Sequence, residues 1–355
     1  MTADAAQVEF TATCLRQFLS QGAVQRQVQP EAGAVAGSIR PDGSHQYVYG
    51  EITGYYLHWL ASLNTPDLRN RASAQAALQW LQGYLQSATP PLTRVYLDAA
   101  PEDWRNKALF AFDFAMIAAG LARAAAHNLI VVPGTVAARV LYWLQCFVTD
   151  TQLHACTTTD HRVELPVRWS TRGGSVTAKT ASRILLFARH TPVAPSLFEI
   201  CRTTLARIAQ AADTNAIDML HPTLYALEGC LLYPQADYTR LAHWFDQIIA
   251  LRAPDGTLPE SVQTPDIRRS DIIAQALRIA VFLERLLERP GCYREARAAF
   301  TAALCERVSA EGRIGFTAGV PDANTWCAMF AEQALRLQAA ALREQALPFA
   351  LEDLA

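Results

Sequence analysis

Three acids stand near the start of apolar, helix-periodic segments, where they could move a proton. Glu51 opens GEITGYYLHWL, Asp113 interrupts ALFAFDFAMIAAG, and Asp271 follows Arg269 and Ser270 in RSDIIAQALRI. An acid inside a run as apolar as the one around Asp113 must be paired or face a polar cavity, because an isolated buried carboxylate is strongly disfavoured. Two carboxyl groups flanking a glycosidic bond are enough for its acid/base cleavage. Glu228 and Asp322 stand behind these three as further acids. Glu51 and Asp271 equally suit the first turn of a helix, where negative charge offsets the dipole, with Ser270 as a cap. His221 is followed by Pro222, whose fixed φ suits the first helical position. A histidine there can act as general acid or base near neutral pH. Tyr225 and Glu228 follow it at helical spacing and share its face. His45, in DGSHQYVYGE, is a second candidate of the same kind.

Cations gather near the same segment starts: Arg168, Arg172, Lys179, Arg268 and Arg269. A guanidinium grips a carboxylate through two parallel hydrogen bonds, so Arg172, Arg269 and Lys179 are expected to hold an anionic substrate. Pairing with neighbouring acids is the alternative. Tyr47, Tyr49, Tyr55, Trp104, Trp169, Tyr225 and Trp326 lie close by in sequence. Flat rings with a polar handle stack on sugar faces and pack equally well in cores. Trp169 is the exception, because VRWSTRGG is a polar loop with little core to fill.

Twelve helices are predicted from the apolar periodicity, over about 3–20, 51–64, 67–87, 106–127, 134–149, 177–190, 194–212, 222–233, 238–252, 270–288, 292–309 and 324–343. A short helical stretch over 343–354 completes the chain. Alternate helices repeat a local pattern, marked by Glu51, Asp113, Lys179, His221, Asp271 and Asn324. The steps between markers are 62, 66, 42, 50 and 53 residues, each enough for two helices and two loops. The marked helices are apolar nearly all round, as in HPTLYALEGCLLY. The intervening ones carry Arg, Gln and Glu on one face, as in YREARAAFTAALCERV. The first class suits burial on both sides and the second suits solvent. An inner ring wrapped by an outer ring satisfies both, with the inner N-termini at one mouth. Their unpaired N–H groups and dipoles favour an anion there. Long loops at 30–50, 150–176, 253–269 and 310–323 lead into the inner helices, and GTLPESVQ and GRIGFTAG are expected to form short strands over that mouth. With no Pro-, Gly- or Ser-rich linker, residues 1–355 read as a single domain.

Composition excludes several classes. The formal net charge is −2 with no basic cluster, so nucleic acid is not an expected partner. No apolar run approaches the roughly 20 residues of a membrane-spanning helix, and the N-terminus lacks the pattern of a secretory signal, so a cytoplasmic protein is expected. None of the eight cysteines forms a C-x-x-C pair, which fits small buried residues in a reducing compartment. No Walker loop, dinucleotide fingerprint, G-x-S-x-G elbow or H-E-x-x-H metal motif is present, and neither cofactor nor metal is expected.

The six marked motifs, in order over roughly 3–342, resemble the six-hairpin glycosidase-like superfamily. EITGY, FDFAM, HPTLYALEG and RSDIIAQAL look like inner-helix starts of unsaturated-glucuronyl hydrolases, uronyl epimerases and related polysaccharide proteins. The resemblance implies an all-α (α/α)6 toroid of six helical hairpins. It also implies a carbohydrate-active enzyme taking an acidic or polar saccharide in the mouth of the ring. The expected reaction is glycosidic or unsaturated-uronyl hydrolysis by Asp113 with Glu51 or Asp271, assisted by His221. Tyr49, Tyr225, Trp169, Trp326 and His45 join the arginines and Lys179 as substrate-binding candidates. The alternatives are a uronate lyase or epimerase leaning on His221 and Tyr225, a non-catalytic binding or assembly component of a polysaccharide or natural-product pathway, and a helical-toroid cyclase. The superfamily spans several reactions, so fold alone does not choose among them.

Overall fold

The computed structural model describes residues 4–65, 67–98, 101–160, 162–212 and 217–355. Its helices, in chain order, are α1 (Ala5–Ser20), α2 (Gly50–Ser62), α3 (Leu68–Gln86), α4 (Ala111–Ala126), α5 (Gly134–Gln145), a single turn α6 (Trp169–Arg172), α7 (Thr177–Ala188), α8 (Pro195–Gln210), α9 (Leu220–Leu231), α10 (Tyr238–Ile249), α11 (Ser270–Leu286), α12 (Arg294–Arg307) and α13 (Thr325–Leu342). The predicted start of the first helix at residue 3 lies outside the described residues.

The marked helices close into a ring. α2 packs on α4, α4 on α7, α7 on α9, α9 on α11, α11 on α13, and α13 returns to α2. Each has an outer partner: α3, α5, α8, α10, α12 and, for α13, α1 from the other end of the chain. This is the (α/α)6 toroid. The polarity pattern explains it, since α11 is buried over almost its whole length while α12 buries only Ala296, Arg297, Phe300, Thr301, Ala303 and Leu304.

Glycines set the closest approaches inside the ring. Gly54 and Gly120 meet where α2 crosses α4, and a Cβ built on Gly120 would lie 2.1 Å from the Gly54 carbonyl oxygen. That oxygen belongs to helix backbone and cannot turn aside. Gly120→Ala is therefore expected to force the two helices apart and cost about 3 kcal/mol. A urea titration placing the variant within 0.5 kcal/mol of wild type would contradict this close crossing.

Strands feed the inner helices at the mouth. β1 (Ala36–Ile39), β2 (His45–Tyr49), β3 (Arg94–Tyr96) and β6 (Ala323–Asn324) form an antiparallel sheet in the order β3-β2-β1-β6, while β4 (Ala108–Phe110) pairs with β5 (Cys156–Thr158). β2 runs directly into α2, β4 into α4 and β6 into α13. The helix predicted from 106 thus starts at Ala111, after a 3-10 turn and β4. GTLPESVQ and GRIGFTAG form no strand and hold only isolated bridges, Met219 to Ser261 and Arg269 to Thr317. Of the helical stretch expected over 343–354, only a 3-10 turn at Leu351–Asp353 is present.

The opposite end of the ring is filled by residues 349–355. Leu354 and Ala355 are wholly buried, and Arg183 Nη2 donates to the Leu354 carbonyl at 2.8 Å while Arg278 Nη1 donates to Ala355 at 3.1 Å. Among the described residues no helix is long and apolar enough to cross a membrane.

Candidate active site

At the mouth lies a cavity of about 500 Å³, within the range of roughly 300–1,000 Å³ usual for small-molecule sites. The starts of α2, α4, α7, α9, α11 and α13 all contribute to its surroundings. On five of them the residue at the N-cap makes no side-chain capping bond, whereas the outer helices α1, α3 and α10 carry Asp4, Asp67 and Asp237 as caps. The uncapped N–H groups leave positive potential at the mouth. Ser270, expected as a cap, instead accepts from Arg307 Nη1 at 3.1 Å.

One wall carries an acid pair. Tyr49 ends β2, Glu51 lies one residue into α2, and Asp113 lies in the first turn of α4. The Gly54–Gly120 crossing brings these two helices together. The Tyr49 hydroxyl donates to Asp113 Oδ1 at 3.3 Å and also reaches Glu51. Burial and the two acids push the Tyr49 pKa up, so it remains a donor. Among the described residues neither acid is in an ion pair. Burial, opposed by Tyr49 and Arg94, raises the Glu51 pKa to about 7. Burial and then the Glu51 charge hold Asp113 well above the carboxylate range. Near neutral pH the pair therefore retains a proton.

The facing wall comes from α9 and α11, which stand across the ring from α2 and α4. His221 Nδ1 is 2.8 Å from Gln275 Oε1 and 3.5 Å from Asp271 Oδ2. Two acceptors at Nδ1 assign the proton there and leave a lone pair on Nε2. Burial, followed by the Arg269 charge, lowers the His221 pKa to about 4, so the ring is neutral at pH 7. The edge of Trp169 lies against it with centroids 5.8 Å apart, and Tyr225 lies at 4.2 Å.

Asp271, expected as a second catalytic acid, is held in an ion pair instead of standing free at the cavity. It is wholly buried, and both oxygens are occupied: Oδ1 by Arg269 Nε (3.0 Å) and the Ile272 N–H (2.9 Å), Oδ2 by Arg269 Nη2 (2.6 Å) and Trp326 Nε1 (3.1 Å). Burial works against its charge, but Arg269 and His221 bring its pKa to about 2. Its contacts tie Arg269, Trp326 and His221 Nδ1 together at this wall.

Lys179 is also displaced from its expected role. The turn leading into α7 begins at Gly174, with Thr177 N bonded to Gly174 O and Lys179 N to Val176 O. Lys179 is thereby carried below the mouth, fully buried, with Nζ 2.7 Å from Glu228 Oε2. Arg172 lines a neighbouring cavity instead. His45 sits outside the cavity, its Nε2 at 2.8 Å from the Ala23 carbonyl. Asp322 accepts from Gln46 Nε2 at 2.6 Å. Of the other candidates, Asp113, Glu51, His221, Arg269, Tyr225, Trp169, Trp326 and Tyr49 all line the cavity.

Two lining cations had no signal in the helical pattern. Arg94 on β3 and Arg105 in the following 3-10 turn share Asp103, at 3.4 and 3.1 Å. Both come from the 88–110 connection, which holds no repeated motif. Arg269 is already committed to Asp271 and to Glu260 at 3.1 Å. Arg168, exposed at the rim, has no acid partner among the described residues. Arg168 is thus the freest anion ligand of the lining, while Arg94 and Arg105 have one acid between them. Trp104, Phe112 and Phe316 add flat apolar surface.

No protein-family profile matches the chain, and no curated protein matches it in sequence. Solved structures do match in fold. Cellobiose 2-epimerase from Spirochaeta thermophila superposes with a TM-score of 0.70 at 13% identity, covering 95% of this chain and 98% of that one. A D-mannose isomerase gives 0.64 at 12%, covering 94% and 96%. A glycosidase variant gives 0.64 at 11%, covering 97% and 100%. The chain has the (α/α)6 toroid of these sugar-acting enzymes.

Proposed function

We propose that the protein is a carbohydrate-active enzyme that hydrolyses a glycosidic or unsaturated-uronyl linkage of an acidic saccharide held in the mouth of the ring. The observation that carries this reading is the Glu51–Asp113 pair, Asp113 buried and Glu51 half-buried, without an ion-pair partner among the described residues and joined through Tyr49. The protonated member donates to the leaving oxygen as the C–O bond breaks. A proton from the attacking water passes to the ionised member or to His221 Nε2, and the new C–O bond forms to that water's oxygen. The expectation of two carboxyls on opposite sides of the cleft gives way to an acid pair on one wall facing a histidine on the other. Arg168, Arg94 and Arg105 would hold the uronate carboxylate, and Trp169 and Trp104 would lie against the sugar ring.

A second reading, uronate epimerisation or elimination, is favoured by one specific feature. His221 presents a neutral Nε2 lone pair suited to taking a proton from carbon. Isotope labelling separates the two. Uronate-containing disaccharides, saturated and Δ4,5-unsaturated, are incubated with the enzyme in H2(18)O and, separately, in D2O. Hydrolysis places one 18O on the released sugar with no deuterium at an unreacted carbon. Deuterium at C5 of recovered saturated substrate would overturn hydrolysis in favour of carbon acid chemistry. Cleavage that leaves neither label and creates a C4=C5 double bond would indicate elimination, and no reaction with any of these substrates would overturn both.

A further inference from the structure

A second, larger cavity of about 830 Å³ adjoins the first. Ala155 and Thr177 line both, so the two spaces meet across small side chains. The single turn α6 divides them, with Trp169 at its start lining the central cavity and Arg172 at its end lining the second. Gly173 and Gly174 follow with φ of +77° and +89°, and a Cβ added at Gly174 would meet nothing within 4 Å. The wall there is bare backbone bordering open space.

The lining of the second cavity mixes polar and apolar side chains and includes two arginines. Arg172 and Arg207 are exposed and have no acid partner among the described residues. Thr203 and Gln152 add groups that can pair with hydroxyls. Of the two acids in the lining, Glu199 is already paired with Arg202 at 2.8 Å, and Asp150 stands exposed.

Building on the acidic-saccharide reading, we propose that the substrate is a linear acidic oligosaccharide. Its reacting unit occupies the central cavity, and the chain continues over Ala155 and Thr177 into the second cavity. There Arg172 and Arg207 bind carboxylates of units beyond the reacting one. A monosaccharide would fill only the first space. Each further charged unit engaging a guanidinium adds binding energy that the central site does not supply.

Titration calorimetry with oligogalacturonates of one to six residues tests this, with cello-oligosaccharides of equal length as neutral controls. Wild type is expected to bind the acidic hexamer at least ten-fold more tightly than the acidic dimer. In Arg172→Ala/Arg207→Ala that ratio is expected to fall toward one. Both side chains are exposed, so the variant should fold, and its melting temperature is checked alongside. Thr203→Trp, which obstructs the second cavity without removing charge, should reduce the ratio as well. Acidic mono- and disaccharides binding as tightly as the hexamer would overturn the extension and leave the central reading standing. A length gain that survives in both variants, or is equal for the neutral series, would also overturn it. Failure of every acidic length to bind would remove both readings.

Discussion

Asp113→Asn is expected to lower turnover of an acidic saccharide by about 10²–10⁴-fold and, above pH 7, to make the protein more stable than wild type. Both effects come from the same geometry. Asp113 is buried and Glu51 half-buried beside it, and they share the Tyr49 hydroxyl and lack an ion-pair partner among the described residues. A carboxyl whose folded pKa is raised favours the fold while protonated. That contribution is complete below the unfolded pKa and is lost as pH rises through the folded one. For Glu51 the window runs from its ordinary 4.5 to about 7, and full ionisation then weakens the fold by about 3 kcal/mol. Asp113, also raised, loses stability over a window extending upward from the ordinary carboxylate range. Removing its charge relieves its own burial and lets Glu51 ionise more easily. Urea titrations of wild type, Asp113→Asn and Glu51→Gln between pH 5 and 9 check this without any knowledge of the substrate. A wild type whose stability stays level across that range, with Asp113→Asn less stable at pH 8, would show that the pair carries no strained charge. Such a site trades stability for a proton held where chemistry uses it.

Asp113 was legible in the sequence because it breaks an apolar run, and burial of an unpaired acid has few structural explanations. The ring was legible because inner and outer helices carry different polarity patterns at a repeated spacing. Asp271 and Lys179 occupy comparable positions in their motifs, yet their surroundings differ in ways that spacing does not encode. Arg269, two residues before Asp271, folds back on it through two hydrogen bonds, and the early turn at Gly174 carries Lys179 below the mouth. Arg94 and Arg105 were invisible for a different reason. They reach the cavity from a strand and a 3-10 turn inside a loop, where helical periodicity says nothing about direction. Asp103 then fixes both from one side. The strands were misplaced because two to five residues of pairing depend on distant partners, as where β1 joins β6 across nearly the whole chain.

The same displacement of Lys179 yields a second large expected effect, in the floor of the ring. Glu228 is wholly buried and accepts from Lys179 Nζ at 2.7 Å and Arg278 Nη2 at 2.5 Å. Burial opposes its charge, but Arg278 and Lys179 prevail and lower its pKa. Arg183 adds a third nearby cation. Glu228→Gln leaves these cations without their counter-charge in a region that water does not reach. The expected cost is about 3–5 kcal/mol, read as a fall in the urea midpoint with little change in slope. Packing loss alone cannot explain such a value, because Gln nearly matches Glu in shape. Glu228→Gln/Lys179→Met distinguishes charge from packing: removing one stranded cation should recover part of the loss, giving strong non-additivity. If the double variant is as unstable as the sum of its parts, the pair is not the source of the effect. The location gives the cluster its consequence for chemistry. Tyr225 stands one helical turn above Glu228 on α9, its hydroxyl 3.0 Å from that of Tyr55, and His221 stands one turn above Tyr225. The ion cluster therefore anchors, from below, the helix face that presents the histidine to the acid pair across the cavity.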